Sequence, residues 1–163
     1  LCRKLAWEIY NRYGDRSDLA LIGIYSRGAI LAQRIKAELG NLLHTELPLG
    51  FLDINLYRDD LSTRHDQPEI RSTDIHFDIS GKNIILIDDV IYTGRTARAA
   101  LDALIDFGRP ASIILSVLVD RGWREYPIQP DVVGIKLKTA RSEIIDLHLT
   151  EKDQETALWL ITR

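Results

Sequence analysis

The sequence predicts an α/β fold, in which a central parallel sheet is flanked by helices. Three apolar runs have the length of strands and lack polar alternation: DLALIGI at 18–24, KNIILIDDV at 82–90 and ASIILSVLV at 111–119. Such runs indicate strands that are covered on both faces. Segments with helical periodicity lie between them, as a parallel sheet requires. Ligands of such sheets bind beyond the carboxyl ends of the strands.

The N-terminal part contains a helix and then a strand, a turn and a second helix. Residues 1–13 mix charged and apolar positions, which is the pattern of an amphipathic helix and not of a secretory signal. The first strand leads into a turn at 25–28 and a helix at 29–39, whose apolar residues recur at helical spacing. Gly40 and Asn41 are predicted to end this helix.

A long polar stretch follows in the middle of the chain. Residues 45–57 are predicted to be extended, and residues 58–80 are polar and of mixed charge. A loop of that length inside a compact domain is often an active-site lid or a binding loop. The 163 residues are predicted to form a single domain, 1–163, which contains this loop.

The C-terminal half contains one more helix and three more strands. A loop at 91–96 leads into a helix that Gly108 and Pro110 end. The apolar residues of this helix lie on one face: Ala97, Ala100, Leu101, Leu104 and Ile105. After the strand at 111–119, two weaker strands are predicted at 131–137 and 143–149.

Composition excludes several classes of protein. With 45% hydrophobic and 28% charged residues, the chain does not resemble a disordered protein. No apolar run approaches the roughly 20 residues of a membrane span, and a single cysteine, Cys2, excludes an internal disulfide. We therefore expect a cytoplasmic protein. A net charge of −3 argues against a positive electrostatic field over the whole protein that would attract nucleic acid. A local basic patch is compatible with this net charge.

The segment IILIDDVIYTGRT at 84–96 combines two kinds of binding group. Asp88 and Asp89 end an apolar strand, where adjacent side chains are expected to point to opposite faces and meet different partners. Paired carboxylates can accept hydrogen bonds from vicinal hydroxyls or attract Mg²⁺, which keeps most of its water.

The loop that follows has the properties of an anion site. Gly94 lets backbone amides approach a ligand, Thr93 and Thr96 add hydroxyl donors, and a helix begins near Arg95. Taken alone, each feature also fits an ordinary polar strand end or helix entry. Together they predict a site for a phosphorylated ribose. The segment contains neither a Walker loop nor a dinucleotide fingerprint.

Three further places have both a functional and a structural interpretation. Ser26, Arg27 and Gly28 follow the first strand and could form a second anion loop or an ordinary turn. Arg58 opens the polar loop and could instead belong to a solvated turn. Asp120 and Arg121 end the third apolar strand beside the expected ligand crevice, and could equally form a salt-bridged strand end.

The segment at 84–96 resembles the PRPP-binding motif of the type I phosphoribosyltransferases, where PRPP is phosphoribosyl pyrophosphate. The resemblance extends over nearly the whole chain. LYRDDLS at 56–62, DDVIYTGRTARAALDAL at 88–104 and VLVDRGWREYPI at 117–128 are similar to the PyrR group, pyrimidine-operon regulators that also act as uracil phosphoribosyltransferases. The implied fold is the type I phosphoribosyltransferase fold, a parallel sheet with flanking helices and a small hood.

This resemblance implies transfer of a phosphoribosyl group from PRPP to uracil, giving UMP and pyrophosphate, with Mg²⁺ as cofactor. The implied PRPP-binding and catalytic residues are Asp88, Asp89, Tyr92, Thr93, Gly94, Arg95 and Thr96. Pyrophosphate would be bound by Ser26, Arg27 and Gly28, often through a non-proline cis peptide, and by Arg58 from a flexible loop that closes over PRPP. Asp120 and Arg121 would lie near the base or the metal, and Asp88 and Asp89 would bind Mg²⁺ directly or through water.

The resemblance also implies partners: pyrimidine-operon leader RNA, bound in response to UMP, and further copies of the chain in a dimer or larger oligomer. Trp123 replaces a common histidine, and Gln129 and Ile135 replace basic residues of RNA-binding relatives, which argues against RNA binding. Lys136, Lys138 and Arg141 partly restore the charge. The alternatives are a nucleotide-sensing regulator with weak or no catalysis and a phosphoribosyltransferase for another base. No general base is evident, because Tyr92 occupies the place of an aspartate in several purine-specific relatives.

Overall fold

The computed structural model describes residues 1–59 and 72–162. The elements follow one another in this order: α1 (Cys2–Tyr13), β1 (Leu19–Ile24), α2 (Arg27–Leu43), β2 (Leu49–Leu52), a 3₁₀ turn (Asn55–Tyr57), β3 (Asn83–Ile91), α3 (Arg95–Ile105), β4 (Ser112–Asp120), β5 (Val132–Lys136), β6 (Glu143–His148), α4 (Thr150–Asp153) and β7 (Ala157–Thr162). Within these ranges, no helix combines the length and the apolar character that a membrane span needs.

Five strands form one parallel sheet in the order β2-β1-β3-β4-β5. All six residues of β1 are buried, and β3 and β4 are apolar over most of their length. Alternate residues of these strands face different helices: Leu21 and Ile85 pack with α1 and α2, whereas Ile22 and Leu86 pack with α3. This arrangement confirms the predicted α/β fold.

The end of α2 and the pairing of β6 differ from the prediction. The helix α2 does not end at Gly40 but continues to Leu43, because Leu42 and Leu43 pack against the core. His44, with φ of 53°, adopts the left-handed conformation that ends the helix. The strand predicted at 143–149 is present as β6, but it pairs with β7 in an antiparallel hairpin outside the parallel sheet.

The last residues of the predicted polar loop are attached to the sheet. Asp74 and Phe51 exchange two backbone hydrogen bonds of 2.8 Å, and the Thr73 hydroxyl accepts one from the N–H of Asp53. Ile79 is fully buried in the core beside α3. Residues 73–75 therefore lie beside the edge strand β2, while residues 60–71 of the loop predicted at 58–80 lie outside the described residues.

Candidate active site

A cavity of about 600 Å³ opens at the carboxyl ends of β1 and β3, beside the end of β4. Most of the predicted site residues line it: Ser26, Arg27, Arg58, Asp88, Asp89, Tyr92, Thr93, Gly94, Arg95, Thr96 and Arg121. Gly28 and Asp120 are sequence neighbours of the lining residues Arg27 and Arg121, but they do not line the cavity themselves. Segments far apart in the chain thus meet where a parallel sheet places its ligands.

Of the two adjacent acids at the end of β3, Asp88 is buried and Asp89 is half-buried. The N–H of Asp89 donates to Oδ1 of Asp88 at 2.9 Å, and the N–H of Val90 donates to Oδ1 of Asp89 at 2.7 Å. Burial, together with the neighbouring charge of Asp89, raises the pKa of Asp88 well above its ordinary value. Burial also raises the pKa of Asp89, although the N–H of Val90 opposes that rise. The pair forms a site where a cation or hydroxyl donors would be favourable.

Each acid is associated with a different arginine. The charge of Arg58 lowers the pKa of Asp88, and the charge of Arg27 lowers that of Asp89, each against the larger effect of burial. We predicted that the acids would face different partners, and the arginines do differ. The two side chains nevertheless line one cavity and interact with each other. Two carboxylates and two guanidinium groups therefore lie around the same space.

The loop between β3 and α3 is held in place by the segment that follows β4. Gly94 has φ of +92°, and a Cβ there would lie 3.2 Å from the Cβ of Tyr126. The carbonyl of Thr93 accepts hydrogen bonds from the N–H groups of Glu125 and Tyr126 at 2.8 and 2.9 Å. The first residues of α3 line the cavity, so the positive end of this helix is available to an anion.

The side chain of Arg95 is held at the cavity's edge. Its guanidinium pairs with Asp59 at 2.7 Å and Glu125 at 2.8 Å, and it lies over the ring of Tyr126. We predicted that Arg95 binds PRPP. Its backbone belongs to the anion loop, while its side chain joins the start of the polar loop to the segment after β4.

The turn after β1 contains a cis peptide bond between Tyr25 and Ser26. The chain then enters α2 at Arg27, and Gly28 packs against β3, where a Cβ would lie 2.7 Å from the carbonyl oxygen of Ile87. Gly28 thus does not contact the cavity but allows the turn to lie directly beside the acid pair.

Asp120 and Arg121 have different surroundings although they are adjacent. Asp120 pairs with Arg124 at 2.8 Å and accepts a hydrogen bond from the N–H of Gly122, which is the arrangement of a salt-bridged strand end. Arg121 is 5% exposed and lines the cavity. Its guanidinium lies 4.0 Å from the ring centroid of Tyr92 and donates to the carbonyl of Ala140.

Comparison with known proteins identifies this arrangement. The family described as Phosphoribosyl transferase domain matches residues 1–152. The chain belongs to the phosphoribosyltransferase family. Relatives named bifunctional protein PyrR are 53% identical over 158 residues in Deinococcus deserti and 55% identical over 150 residues in Roseiflexus sp.. These alignments cover 96% and 92% of this chain, and 86% and 82% of the relatives. The PyrR resemblance read from the sequence is confirmed.

Solved structures confirm the phosphoribosyltransferase fold. A hypoxanthine-guanine phosphoribosyltransferase from Bacillus anthracis superposes with a TM-score of 0.70 at 17% identity, covering 99% of this chain and 90% of that one. The hypoxanthine phosphoribosyltransferase of Trypanosoma cruzi gives 0.71 at 18% identity, covering 99% and 89%. At this identity, the likeness concerns the fold alone.

Several residues that line the phosphoribosyltransferase cavity were not predicted: Tyr25, Ile54, Val90, Ile91, Ala97, Glu125, Ile144 and Ile145. Most are apolar and belong to no chemical motif. Ile144 and Ile145 come from β6, so the terminal hairpin forms one side of the cavity. Recognising them requires the position of the hairpin, which local patterns do not supply.

The acid pair fits a magnesium ion in its chemistry. Among the described residues, no group of three or more histidine, cysteine or acidic side chains is arranged to hold a metal ion. Mg²⁺ commonly uses only one or two carboxylates, together with water and substrate phosphates. A cation beside Asp88 and Asp89 would also favour their ionised forms, which burial disfavours. Asp88 and Asp89 are therefore the groups in this cavity that could hold the ion.

Proposed function

We propose that the protein is a Mg²⁺-dependent uracil phosphoribosyltransferase that converts uracil and PRPP to UMP and pyrophosphate. The observation that carries the proposal is the meeting of an adjacent acid pair, a helix N-terminus and the guanidinium groups of Arg27 and Arg58 in one cavity of a phosphoribosyltransferase fold. The PyrR relatives, more than half identical over nearly the whole chain, support uracil as the base.

The ribose and its phosphate would occupy the β3–α3 side of the cavity. Asp88 and Asp89 are suited to accept hydrogen bonds from the two ribose hydroxyls. The amides at the start of α3 and the hydroxyls of Thr93 and Thr96 are suited to hold the phosphate. This placement fixes the anomeric carbon relative to both partners of the reaction.

The leaving pyrophosphate would face Arg27 and Arg58, which lie on the sides of Asp89 and Asp88. Displacement at an anomeric carbon proceeds through a transition state with oxocarbenium character, as in glycoside chemistry. The two guanidinium groups would stabilise the negative charge that develops on the leaving group. Mg²⁺, when bound at the acid pair, supplies additional charge neutralisation for the pyrophosphate.

The base would lie between the end of β4 and the hairpin. Arg121 is buried there against the ring of Tyr92, and Ile144 and Ile145 provide an apolar side. A planar pyrimidine fits such surroundings, with the guanidinium as a donor to a base carbonyl. Among the described residues, no histidine lines the cavity, and the carboxylate of Glu125 is paired with Arg95. We therefore assign no general base to the chain, and N1 would lose its proton to water or to a bound phosphate.

A direct assay tests this proposal. The purified protein, PRPP and Mg²⁺ are incubated with uracil, orotate, hypoxanthine or adenine, and pyrophosphate release is followed. Turnover with uracil alone supports the proposal. Turnover with a different base, or with none, would overturn it. The Asp88→Asn, Asp89→Asn double variant should be inactive, and survival of its activity would contradict this placement of the active site.

A second candidate function is regulation through RNA, favoured by the description of the relatives as bifunctional. We propose that pyrimidine-operon leader RNA binds in response to UMP. Lys136, Lys138 and Arg141 are exposed at one end of β5 and in the segment after it, and could contact phosphates. The slope of log affinity against log salt counts such contacts, and a flat slope would exclude this function.

We further propose that the chain forms one domain and assembles as a dimer or larger homo-oligomer in the cytoplasm. Trp159, Leu160 and Ile161 on β7 are each about half exposed, which is unusual for side chains of this size. Analytical ultracentrifugation tests the assembly, and a monomer at micromolar concentration would contradict it.

A further inference from the structure

The short helix α4 of the terminal hairpin contacts the turn that would bind pyrophosphate. Nη2 of Arg27 donates to Oδ1 of Asp153 at 3.0 Å, and Nζ of Lys152 donates to Oγ of Ser26 at 3.2 Å. The partners are 126 residues apart in the chain in both contacts. The hairpin therefore contacts both polar side chains of this turn.

Asp153 is itself firmly held. Its Oδ2 accepts a hydrogen bond of 2.8 Å from the N–H of Leu149, which is 1% exposed, while its Oδ1 accepts from Arg27. The Asp153 side chain is 17% exposed. The N–H of Leu149 and, to a smaller extent, Arg27 lower the pKa of Asp153. An ionised carboxylate with one oxygen bound to a buried backbone is a fixed point for the arginine on its other oxygen.

The guanidinium of Arg27 is only partly used by this contact. Nη2 is bonded to Asp153, and Nε is buried without a hydrogen-bond partner among the described residues. The side chain lines the cavity near Asp89, and Nη1 has no hydrogen-bond partner among the described residues, so its N–H groups are available to a ligand. A long arginine side chain loses considerable rotamer freedom when it is ordered, and a carboxylate that orders it beforehand reduces that loss on binding.

We infer that Asp153 is a positioning residue, which orients Arg27 toward the leaving pyrophosphate. The inference rests on the proposed function, because it takes pyrophosphate as the ligand of Arg27. Asp153 acts through the arginine and does not line the cavity. The geometry predicts that loss of Asp153 impairs the use of PRPP and pyrophosphate more than the use of the base.

The chain provides a matched control in the same helix. Glu151 pairs with Arg34, accepting from Nε at 2.8 Å and from Nη2 at 2.5 Å. This ion pair also joins α4 to α2, but neither of its residues lines the active-site cavity. Glu151→Gln therefore weakens the attachment of the hairpin to α2 without altering Arg27.

Steady-state kinetics of Asp153→Asn and Asp153→Ala, beside Glu151→Gln, test the inference. We expect both Asp153 variants to lower kcat/KM for PRPP by about tenfold to a hundredfold, because misplacement of a binding group by about 1 Å has effects of that size. Product inhibition by pyrophosphate should weaken by about tenfold, while KM for uracil stays within about threefold. Glu151→Gln should leave these constants within about twofold of the wild type.

A double-mutant cycle with Arg27→Met separates positioning from general stability. If Asp153 acts through Arg27, Asp153→Asn has no further effect in the Arg27→Met background. Wild-type constants for PRPP in Asp153→Asn, an equal loss in Glu151→Gln, or full additivity in the cycle would each overturn the inference. A wild-type protein that shows no turnover of uracil would instead overturn the proposed function, which the cycle does not address.

Discussion

Gly28 lies directly against Asp88: a Cβ at Gly28 would be 3.2 Å from the Cα of Asp88 and 3.5 Å from its Oδ1. The start of α2 and the end of β3 are therefore in backbone contact. This contact places the proposed pyrophosphate turn beside the acid pair with no side chain between them. The turn and the acid pair can lie this close because Gly28 has no Cβ.

Gly28→Ala should separate these two parts of the site. The added Cβ would lie 2.7 Å from the Ile87 carbonyl, so the backbone must move. We expect a loss of about 1–3 kcal/mol in the free energy of unfolding, and a fall of at least about tenfold in kcat/KM for PRPP. Thermal unfolding and initial-rate kinetics measure the two effects.

Gly40→Ala is the control for this substitution. Gly40 is also in α2, where a Cβ would meet the Thr45 carbonyl oxygen at 3.1 Å and, within the described ranges, no other atom beyond the neighbouring helix backbone. Its kinetic constants should match those of the wild type. Equal activity of Gly28→Ala and the wild type would show that the close contact is unimportant for PRPP.

The acid pair should lower the stability of the folded protein at neutral pH. Burial raises the folded pKa of Asp88 above its unfolded value of 3.8, so the unfolded chain loses its proton first as pH rises. Stability is therefore lost as pH rises from 3.8 through the raised folded pKa of Asp88. Without Mg²⁺ and PRPP, Asp88→Asn should unfold at a higher temperature than the wild type at pH 7.5, and this difference should shrink toward pH 4.

Asp120→Asn should lower the stability of the folded protein, whereas Asp88→Asn should raise it. Asp120 and Arg124 form an ion pair whose side chains are 11% and 12% exposed, and removing one charge leaves the other buried. We expect a loss of about 1–3 kcal/mol in the free energy of unfolding. Calorimetry of Asp88→Asn and Asp120→Asn shows whether each variant is more or less stable than the wild type. Stabilisation by Asp120→Asn would contradict the structural role of the Asp120–Arg124 pair.

The parallel sheet and the proposed PRPP side of the site were predictable because each depends on short-range pattern. Strands such as β1 are apolar at every position, which occurs when both faces are covered. Asp88 and Asp89 follow such a strand directly, so their location at the sheet's carboxyl edge follows from the strand itself. Gly94 has the positive φ that a glycine between strand and helix suggests.

The hairpin and its contacts were not predictable in the same way. The strand at 143–149 has no local feature that indicates whether it joins the parallel sheet or pairs with a later strand. The role of Asp153 depends on Arg27, 126 residues earlier, and the end of α2 depends on the packing of Leu43. These features are decided by tertiary contacts, which override local propensity.

The hairpin should be more stable at mildly acidic than at alkaline pH. His148 lies between Glu155 at 2.7 Å and Asp146 at 3.1 Å, and hydrogen bonds to these two carboxylates raise the pKa of His148 above 6.5. The resulting stabilisation is complete below pH 6.5 and is lost as pH rises through the raised pKa. The melting temperatures of the wild type and His148→Gln should differ at pH 6 and converge as pH rises through the raised pKa of His148. A difference in melting temperature between the two proteins that stays the same at every pH would contradict this expectation.

Arg121 should determine the affinity for the base more than the affinity for PRPP. Its side chain is 5% exposed, lines the cavity, and is fixed by the Tyr92 ring and the Ala140 carbonyl. A hydrogen bond from a charged group contributes about 1.5–3 kcal/mol, so Arg121→Met should raise KM for uracil by roughly tenfold to a hundredfold. KM for PRPP should stay within about threefold.

Tyr92→Leu separates the two supports of this arginine. It removes the ring under the guanidinium but leaves the hydrogen bond to Ala140, so KM for uracil should rise less than in Arg121→Met. Initial rates are measured first at varied uracil concentration with saturating PRPP, and then at varied PRPP concentration with saturating uracil. If Arg121→Met raises KM for PRPP and spares that for uracil, Arg121 belongs to the phosphate side of the cavity, and the base must lie nearer to Ile144 and Ile145.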